Sequence, residues 1–309
     1  MRRILLWLLL LALVGAGCGR SGPEQGGAPD QAQAGFPVTL DTPGGKVEIA
    51  QRPTRVVSLS PTATEMLFAI DAGGQVVAVD DQSTYPPNAP RTKLSGYQPN
   101  VEAIAGYKPD LVVFANDTGD LAASLKRLAI PALALPAATR LDDSYAQIQQ
   151  LGTATGHTAE AERLVAGMRG EIQRIVADAR VDRPLTYYHE LDKSLFSVTS
   201  KTFIGQLYAQ LGLQNIADKA DKEGSGYPQL SAEYVVKADP DLIFLADTKC
   251  CAQTPATVAA RAGWDQVRAV KDGAVVALDD DVASRWGPRV VDFLRVIAAK
   301  LKTLETVGS

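Results

Sequence analysis

The feature that most constrains this chain is a segment that occurs twice in the same order. A glutamate, a Pro-Asp pair and an apolar run occupy residues 102–115, and the same pattern returns at residues 233–246. Each copy predicts a short amphipathic helix, a turn at the Pro-Asp pair, and a buried strand of β-branched and apolar residues. A chain that carries this unit twice is expected to form two similar lobes with a cleft between them.

The amino terminus has the pattern of an export signal. Two arginines precede an apolar stretch at residues 4–14, and small residues and then Cys18 follow it. The stretch is shorter than the roughly 20 residues that a permanent membrane helix needs, so we expect residues 1–17 to be removed. Residues 13–18 resemble a bacterial lipobox, which implies that Cys18 is diacylated and becomes the first mature residue. An ordinary signal that is cleaved nearby is the alternative.

Residues 18–35 have the composition of a flexible tether. They are rich in Gly, Ser, Pro, Gln and Ala, and they lack apolar periodicity. The folded body is therefore expected to begin near Phe36. The full chain has a net charge of −4 at pH 7 and no block of lysines and arginines. Nothing in this composition predicts a nucleic-acid partner.

The rest of the chain alternates between strand and helix patterns, which predicts an α/β fold with parallel sheets. We expect an N-terminal α/β lobe at residues 36–141 and a C-terminal α/β lobe at residues 184–309, both Rossmann-like. Residues 142–183 form a bridging helical segment, in which helical spacing predicts one long α-helix from about 158 to 180. At 1.5 Å per residue this helix spans roughly 34 Å and can brace one lobe against the other. A surface helix of a single larger domain is the alternative.

The predicted strand order also locates a ligand site. Residues 116–117, 189–192 and 247–251 follow predicted strands that run in the same direction. The carboxyl ends of parallel strands are where α/β proteins hold ligands, so we expect these segments to face the cleft. Beyond the last of them, one helix is predicted over residues 257–267.

Short motifs run through nearly the whole folded body. They are the segment at residues 55–65, Tyr85-Pro-Pro, Tyr97-(x4)-Glu102, Lys108-Pro-Asp, Phe203-Ile-Gly, Tyr227-Pro-Gln-Leu-Ser-(x)-Glu233 and Pro288-Arg289. In this order the motifs resemble the ABC-importer substrate-binding proteins for vitamin B12, ferric siderophores and haem, and most closely the vitamin B12-binding branch. The resemblance implies an extracytoplasmic lipoprotein that captures a corrinoid and delivers it to an ABC importer. A ferric hydroxamate siderophore or haem is the alternative ligand.

The resemblance also implies a docking role for one glutamate in each lobe. Glu102 and Glu233 match the exposed glutamates that bind arginine pockets on the two membrane subunits of the permease dimer. A guanidinium group can bind a carboxylate through two parallel hydrogen bonds, which reads its plane as well as its charge. The alternative is that each glutamate only interacts favourably with the dipole of its own helix.

For the ligand, the family positions that place aromatic rings against the corrin fall on Tyr85, Tyr97 and Tyr227. An acidic position falls on Asp281, and Trp286 lies near it in the same loop. Each tyrosine is next to prolines in a predicted loop, so we expect its ring to be presented to the ligand. Flat rings suit a flat macrocycle. A local packing role is the alternative for any one of these tyrosines.

Two segments depart from the pattern of the vitamin B12-binding branch. That branch has a large aromatic residue near position 190, whereas this chain has His189 and Glu190. We assign both to the ligand site, with His189 as a candidate axial ligand of cobalt or iron, or alternatively as a hydrogen-bonded structural residue. The neighbours Cys250 and Cys251 offer soft thiolates when reduced. When oxidised they form a rigid apolar turn against the ligand, which is the interpretation we favour.

The sequence contains no P-loop, no G-x-S-x-G motif and no H-E-x-x-H motif. Only His157 and His189 are available as catalytic histidines, and no nucleophile is tied to either. We therefore expect no enzyme activity and no cofactor, and an exported metal-dependent hydrolase is the remote alternative. Acids in the cleft segments are at least as many as lysines and arginines, which favours a neutral or cationic ligand. We expect a monomer, anchored through Cys18 in the periplasm or at the outer face of the cell membrane.

Overall fold

The computed structural model describes residues 35–42, 44–179 and 183–307. The predicted signal peptide at residues 1–17, Cys18 and the predicted tether up to residue 34 lie outside these ranges. An antiparallel hairpin, β1 (Val38–Thr42) and β2 (Gly45–Ile49), precedes two four-stranded parallel sheets. The α/β class with two lobes is therefore confirmed. No helix within the described ranges combines the length and the apolar character of a membrane span.

The N-terminal sheet has the spatial order β4-β3-β5-β6. Its strands are β3 (Val56–Leu59), β4 (Val76–Val79), β5 (Leu111–Phe114) and β6 (Ala132–Ala134). Its helices are α1 (Pro61–Ala69), α2 (Val101–Gly106) and α3 (Leu121–Arg127). Every residue of β3 and of β5 is buried. Continuous burial is expected of central parallel strands, because helices cover both faces of such a sheet.

The C-terminal sheet has the spatial order β10-β9-β7-β8. Its strands are β7 (Leu185–Glu190), β8 (Leu213–Asn215), β9 (Leu242–Leu245) and β10 (Val275–Ala277), and its helices include α6 (Phe203–Gln210) and α7 (Ala232–Ala238). When strands are counted within each lobe, both sheets run second, first, third, fourth. The repeated sequence unit is α2 with β5 in one lobe and α7 with β9 in the other. The duplication thus extends from a short motif to the topology of the whole lobe.

The aspartate of each repeated Pro-Asp pair fastens the third strand of its lobe to the first. Asp110 accepts hydrogen bonds from the backbone N–H of Thr54 at 2.7 Å and from its hydroxyl at 2.9 Å, just ahead of β3. Asp241 accepts the same two bonds from Thr186, at 2.8 and 2.9 Å, near the start of β7. One carboxylate in each lobe therefore ties the turn before a buried strand to the beginning of its neighbour.

Two packed helices, α4 (Leu141–Thr155) and α5 (Thr158–Asp178), connect the lobes in sequence. The long helix predicted from residue 158 is present as α5, and the segment before it forms the separate helix α4. Gly156 lies between them with a φ of 75°, a left-handed conformation that ends a helix at little cost in glycine. The last helix, α11 (Val290–Val307), packs against α5.

The single helix predicted over residues 257–267 is replaced by shorter pieces. Helix α8 (Pro255–Ala259) starts at the cap Thr254, and α9 (Arg268–Lys271) follows a turn of 3₁₀ helix. Gly263 has a φ of 78°, which interrupts the helical path. The turn after it buries Trp264 completely. Burial of this one large side chain therefore overrides the helical propensity of the segment.

Candidate functional site

A cleft of about 360 Å³ lies at the carboxyl ends of the N-terminal strands. One wall is formed by residues 59–62, Asp80 and residues 115–116, which end β3, β4 and β5. The opposite wall is formed by Asp281, in the short helix α10 (Asp280–Ala283), and by residues 284–286. This is the edge at which parallel α/β sheets hold ligands.

Tyr97, Asp281 and Trp286, three of the predicted ligand residues, line this cleft together. The side chain of Tyr97 is 71% exposed, so its ring is presented to solvent. Trp286 is held in place because its indole N–H donates a hydrogen bond of 2.8 Å to Gln147 of α4. The hydroxyl of Ser144, also in α4, donates to the backbone carbonyl of Trp286. The C-terminal loop is thereby fastened to the N-terminal side of the molecule.

Tyr85 and Tyr227 are exposed aromatic residues that do not belong to the immediate lining of the cleft. Tyr85 is 43% exposed. The guanidinium carbon of Arg289 lies 4.4 Å from the centre of its ring, a cation–π contact that fixes the ring. Tyr227 is 54% exposed and lies in an extended segment of the C-terminal lobe.

Phe196 is an exposed aromatic residue that the sequence analysis did not assign to the site. It is 38% exposed and forms an antiparallel bridge with Gln229, which follows Tyr227 closely. The N–H of Ser197 donates to the carbonyl of Pro228 at 3.0 Å, so the two extended segments lie side by side. The C-terminal lobe therefore presents two aromatic side chains from one ribbon. The available signal was a phenylalanine two positions after the polar residues 192–194, where a core position is not expected.

His189 and Glu190 lie inside the C-terminal lobe, so the prediction that they face the ligand does not fit the structure. Both side chains are fully buried. The Nδ1 atom of His189 is 2.9 Å from the hydroxyl of Tyr208, and burial lowers the pKa of His189 to about 3. Glu190 accepts hydrogen bonds of 2.6 and 2.7 Å from Arg261. The physical reason is that β7 is a central strand, whose side chains remain covered up to its last residue.

A network of ion pairs crosses from the C-terminal loop to helix α1. Glu65 accepts hydrogen bonds from Arg285 at 2.6 Å and from Arg289 at 2.9 Å. Asp281 accepts from Arg285 at 2.7 Å and from Lys249 at 2.9 Å. These three cations adjoin the cleft, and each of them is paired with a carboxylate. The surface that remains for a ligand is therefore aromatic and polar rather than cationic.

Asp80 is a buried wall residue of the cleft whose pKa is shifted. Its side chain is 3% exposed and accepts a hydrogen bond from the hydroxyl of Ser83. Burial raises the pKa of Asp80 to about 6; the nearby Asp81 adds to this effect, and the hydrogen bond from Ser83 opposes it. The charge of this wall consequently changes between mildly acidic and neutral pH.

The structure joins Cys250 and Cys251 in a disulfide between sequence neighbours. They lie in residues 247–253, which we call the cysteine turn, between β9 and α8. The carboxylate of Asp280 accepts hydrogen bonds from the backbone N–H groups of Thr248 at 2.8 Å, Lys249 at 3.0 Å and Cys250 at 2.9 Å. The turn is thereby anchored to helix α10, which forms one wall of the cleft.

Glu102 and Glu233 occupy equivalent exposed positions in the first turns of α2 and α7. Asn100 caps α2, and Ser231 caps α7, each by accepting a hydrogen bond from a backbone N–H three residues later. At such a position each carboxylate interacts favourably with the dipole of its helix and also remains in solvent.

A larger cavity of about 940 Å³ lies in the N-terminal lobe, between β2 and α3, and shares Ala115 and Asn116 with the cleft. Small apolar residues such as Ala122, Ile130 and Ala132 form much of its lining. No exposed tyrosine of the described residues lines it, and it involves only one lobe. Across the part of the chain that the structure describes, no group of three His, Cys, Asp or Glu side chains is arranged to hold a metal ion.

The two lobes, the cleft between them and the long helix α5 define a solute-binding protein of the two-lobed class. A family model described as a periplasmic binding protein matches residues 56–282, and the chain belongs to this family. The family assignment made from the motifs is therefore confirmed.

Individual relatives agree with this assignment. An ABC transporter substrate-binding lipoprotein of Bacillus subtilis is 29% identical over 313 residues, which cover 97% of each chain. A cobalamin-binding protein of Halobacterium salinarum is 33% identical over 281 residues, 87% of this chain and 75% of the relative. The crystal structure of a heme-binding protein, HutB of Vibrio cholerae, matches with a TM-score of 0.72 at 20% identity and covers 80% of this chain and 98% of that one. That likeness shows the fold alone. The relatives are binding proteins, and the expectation that this chain is not an enzyme is confirmed.

Proposed function

We propose that this chain captures a corrinoid, a vitamin B12-like ligand, in the cleft between its lobes and delivers it to an ABC importer. The observation that carries this proposal is the contrast between presented rings and paired cations at the cleft. Tyr97 is the most exposed of the large apolar side chains in the described residues. Lys249, Arg285 and Arg289 are each already bound to a carboxylate. A flat, nearly neutral macrocycle can stack on such rings without requiring a free cation.

An anionic catecholate siderophore would need these same cations. To bind it, Arg285 would have to exchange its bond with Glu65, whose side chain is only 2% exposed. Glu65 would then keep only Arg289, and a buried carboxylate that loses one of its two cationic partners is destabilised. The pairing therefore disfavours the anionic ligands of the class.

Two other ligands of the class remain as alternatives. A ferric hydroxamate siderophore carries less charge than a catecholate complex and needs fewer cations. Haem needs an axial ligand, for which His189 is inaccessible and the exposed hydroxyl of Tyr97 is the better candidate. The relative with 33% identity is a cobalamin-binding protein, and this likeness supports the corrinoid.

Delivery to a permease is proposed through the two exposed glutamates. Glu102 and Glu233 lie at matching positions of topologically equivalent lobes. A pair of matching carboxylates suits a permease dimer with two matching arginine pockets. We also propose that a lipid on Cys18, implied by the lipobox resemblance, holds the protein beside that permease, either in the periplasm or at the outer face of the cell membrane.

Calorimetric titration of the purified protein with cyanocobalamin, a ferric hydroxamate siderophore and haem, in parallel, tests the ligand. We expect micromolar or tighter binding of cyanocobalamin, about −8 kcal/mol or more favourable. We expect the other two ligands to bind at least about tenfold more weakly, which corresponds to about 1.4 kcal/mol. Tighter binding of haem or of the siderophore would assign the protein to iron uptake instead.

A further inference from the structure

The disulfide in the cysteine turn is exposed and is placed to influence the cleft. Cys250 is solvent-exposed and Cys251 is half-buried. We propose that this disulfide is a thiol-exchange site, which an exported dithiol reduces, and that its reduction weakens ligand binding in the cleft through Lys249. The effect on the ligand rests on the proposed function, whereas the exchange itself does not.

The cysteine turn is held in one conformation by hydrogen bonds and by the disulfide. Three successive backbone N–H groups, from Thr248 to Cys250, converge on the carboxylate of Asp280. The carbonyl of Asp247 also accepts longer hydrogen bonds from the N–H groups of Cys251 and Gln253, at 3.2 and 3.3 Å. Three N–H groups can meet one carboxylate only if the backbone between them keeps this local shape. The disulfide ring restricts the backbone torsions of the same residues.

The conformation of the cysteine turn positions a cation, Lys249, at the cleft wall. The ammonium group of Lys249 lies 2.8 Å from Asp279 and 2.9 Å from Asp281. Asp281 lines the cleft and also binds Arg285, which reaches Glu65 in the N-terminal lobe. A continuous series of hydrogen bonds therefore connects the disulfide to the contact between the lobes.

Reduction of the disulfide loosens the cysteine turn. Opening the ring returns torsional freedom to Cys250 and Cys251, and this freedom must be lost again each time the hydrogen bonds to Asp280 form. Lys249 then spends part of its time away from Asp279 and Asp281. The cleft wall has to be reordered when the ligand binds, which lowers affinity. We expect binding that is about tenfold weaker in the reduced protein.

The exchange reaction balances without any further component. A thiolate of the dithiol attacks the exposed sulfur of Cys250, forms a mixed disulfide and releases Cys251 as a thiolate. The second thiol of the reductant then attacks the mixed disulfide and releases Cys250. Two electrons pass to the protein, the dithiol leaves as its own disulfide, and its two protons end on the two cysteine thiols.

The exchange is tested in the full chain carrying Cys18→Ser, in which Cys250 and Cys251 are the only cysteines. Dithiothreitol is the probe, and the protein is kept folded. Mass spectrometry after maleimide labelling should show two adducts per chain. Amide hydrogen exchange of peptides that cover residues 247–253 should become about tenfold faster after reduction, because the bonds to Asp280 are loosened. In the matched control, Cys250→Ser with Cys251→Ser, the amide hydrogens of these peptides should exchange fast with or without dithiothreitol.

Calorimetry with cyanocobalamin then tests the link to the cleft, after the reductant has been removed under nitrogen. Reduced protein, the double serine variant and oxidised Lys249→Met should each bind about tenfold more weakly than the oxidised protein. The absence of adducts, or two adducts without faster hydrogen exchange, overturns the proposal. Faster amide hydrogen exchange with unchanged affinity for cyanocobalamin overturns the link between the disulfide and the cleft. If no form binds cyanocobalamin, the proposed function fails, and labelling with hydrogen exchange alone decides whether the exchange site exists.

Discussion

Glu65 in helix α1 accepts a hydrogen bond of 2.6 Å from Arg285, which follows α10 far along the chain. The side chain of Glu65 is 2% exposed and that of Arg285 is 10% exposed, so water does not screen this ion pair effectively. Arg289 donates to the same carboxylate. One acid thus holds two arginines of the C-terminal loop against the N-terminal lobe, and the wall of the cleft depends on it.

Replacing Glu65 by Gln should therefore destabilise the protein substantially. The variant removes the buried carboxylate that Arg285 and Arg289 share and leaves Arg285 with Asp281 alone. Loss of one partner of a buried ion pair typically lowers the free energy of unfolding by about 3–5 kcal/mol. Urea denaturation followed by fluorescence measures the change. Asp41→Asn is the matched control, because the ion pair of Asp41 with Lys46 is exposed and should contribute about 1 kcal/mol or less. Equal losses of unfolding free energy in the two variants would show that the buried network stabilises the protein no more than the exposed ion pair does.

Tyr97 lines the cleft, and the exposed rings of Tyr227 and Phe196 lie on the C-terminal ribbon outside its lining. We expect all three rings to contribute to ligand affinity individually. Tyr97→Ala, Tyr227→Ala and Phe196→Ala should each weaken cyanocobalamin binding by about 1 kcal/mol or more, which is about fivefold, because each removes a stacking surface. Calorimetry measures the affinities. Leu128→Ala serves as the control, because Leu128 is 51% exposed but carries no aromatic ring and follows helix α3 in the N-terminal lobe. Unchanged affinity in both tyrosine variants would place the ligand elsewhere.

Removal of the two glutamates proposed for docking should lower transport without changing ligand binding. The double variant Glu102→Ala with Glu233→Ala should lower uptake of labelled cyanocobalamin in cells by more than about tenfold, because both bidentate partners of the permease are lost. Its affinity for the ligand in solution should not change, since both glutamates are exposed at helix starts. Glu223→Ala is the control for an exposed acid at another place. Normal uptake by the double variant would show that each glutamate only interacts with the dipole of its own helix and has no docking role.

The parts of the fold that sequence analysis predicted are those with local signals. The buried strands β5 and β9 each combine β-branched and apolar residues with a Pro-Asp turn, and the structure contains both. Helix α5 also begins at Thr158, where its start was predicted, although His157 is the cap residue in the structure. Because these signals lie within a few residues of one another, no tertiary information was needed to find them.

The parts that sequence analysis missed depend on residues that are distant in the chain. His189 lies near the carboxyl end of β7, as the cleft residues lie near the ends of their strands. Tyr208 of helix α6 nevertheless covers it, and Phe293 of α11 packs on Tyr208 in turn. No local sequence pattern near His189 predicts that these side chains bury it. The bond between Glu65 and Arg285 likewise has no local signal. The chemistry of the site was therefore more difficult to predict than the architecture that holds it.

The pH dependence of the free energy of unfolding should reveal the raised pKa of Asp80. Its pKa is raised from the ordinary value of 3.8 to about 6 in the folded protein, mainly by burial. The folded state therefore keeps a proton that the unfolded state has already lost, and stability falls as the pH rises through this window. The variant Asp80→Asn has no such proton, so its advantage over the unmodified protein should grow with pH.

Between about pH 4.5 and pH 7.5 this advantage should increase by about 2 kcal/mol, since one pKa unit corresponds to about 1.4 kcal/mol. Urea denaturation of both proteins at the two pH values measures it. The control is Asp272→Asn, because Asp272 is exposed; its difference from the unmodified protein should stay within about 0.5 kcal/mol at both pH values. If the difference for Asp80→Asn is equally independent of pH, the wall of the cleft carries its charge throughout, and the ligand meets the same carboxylate at either pH.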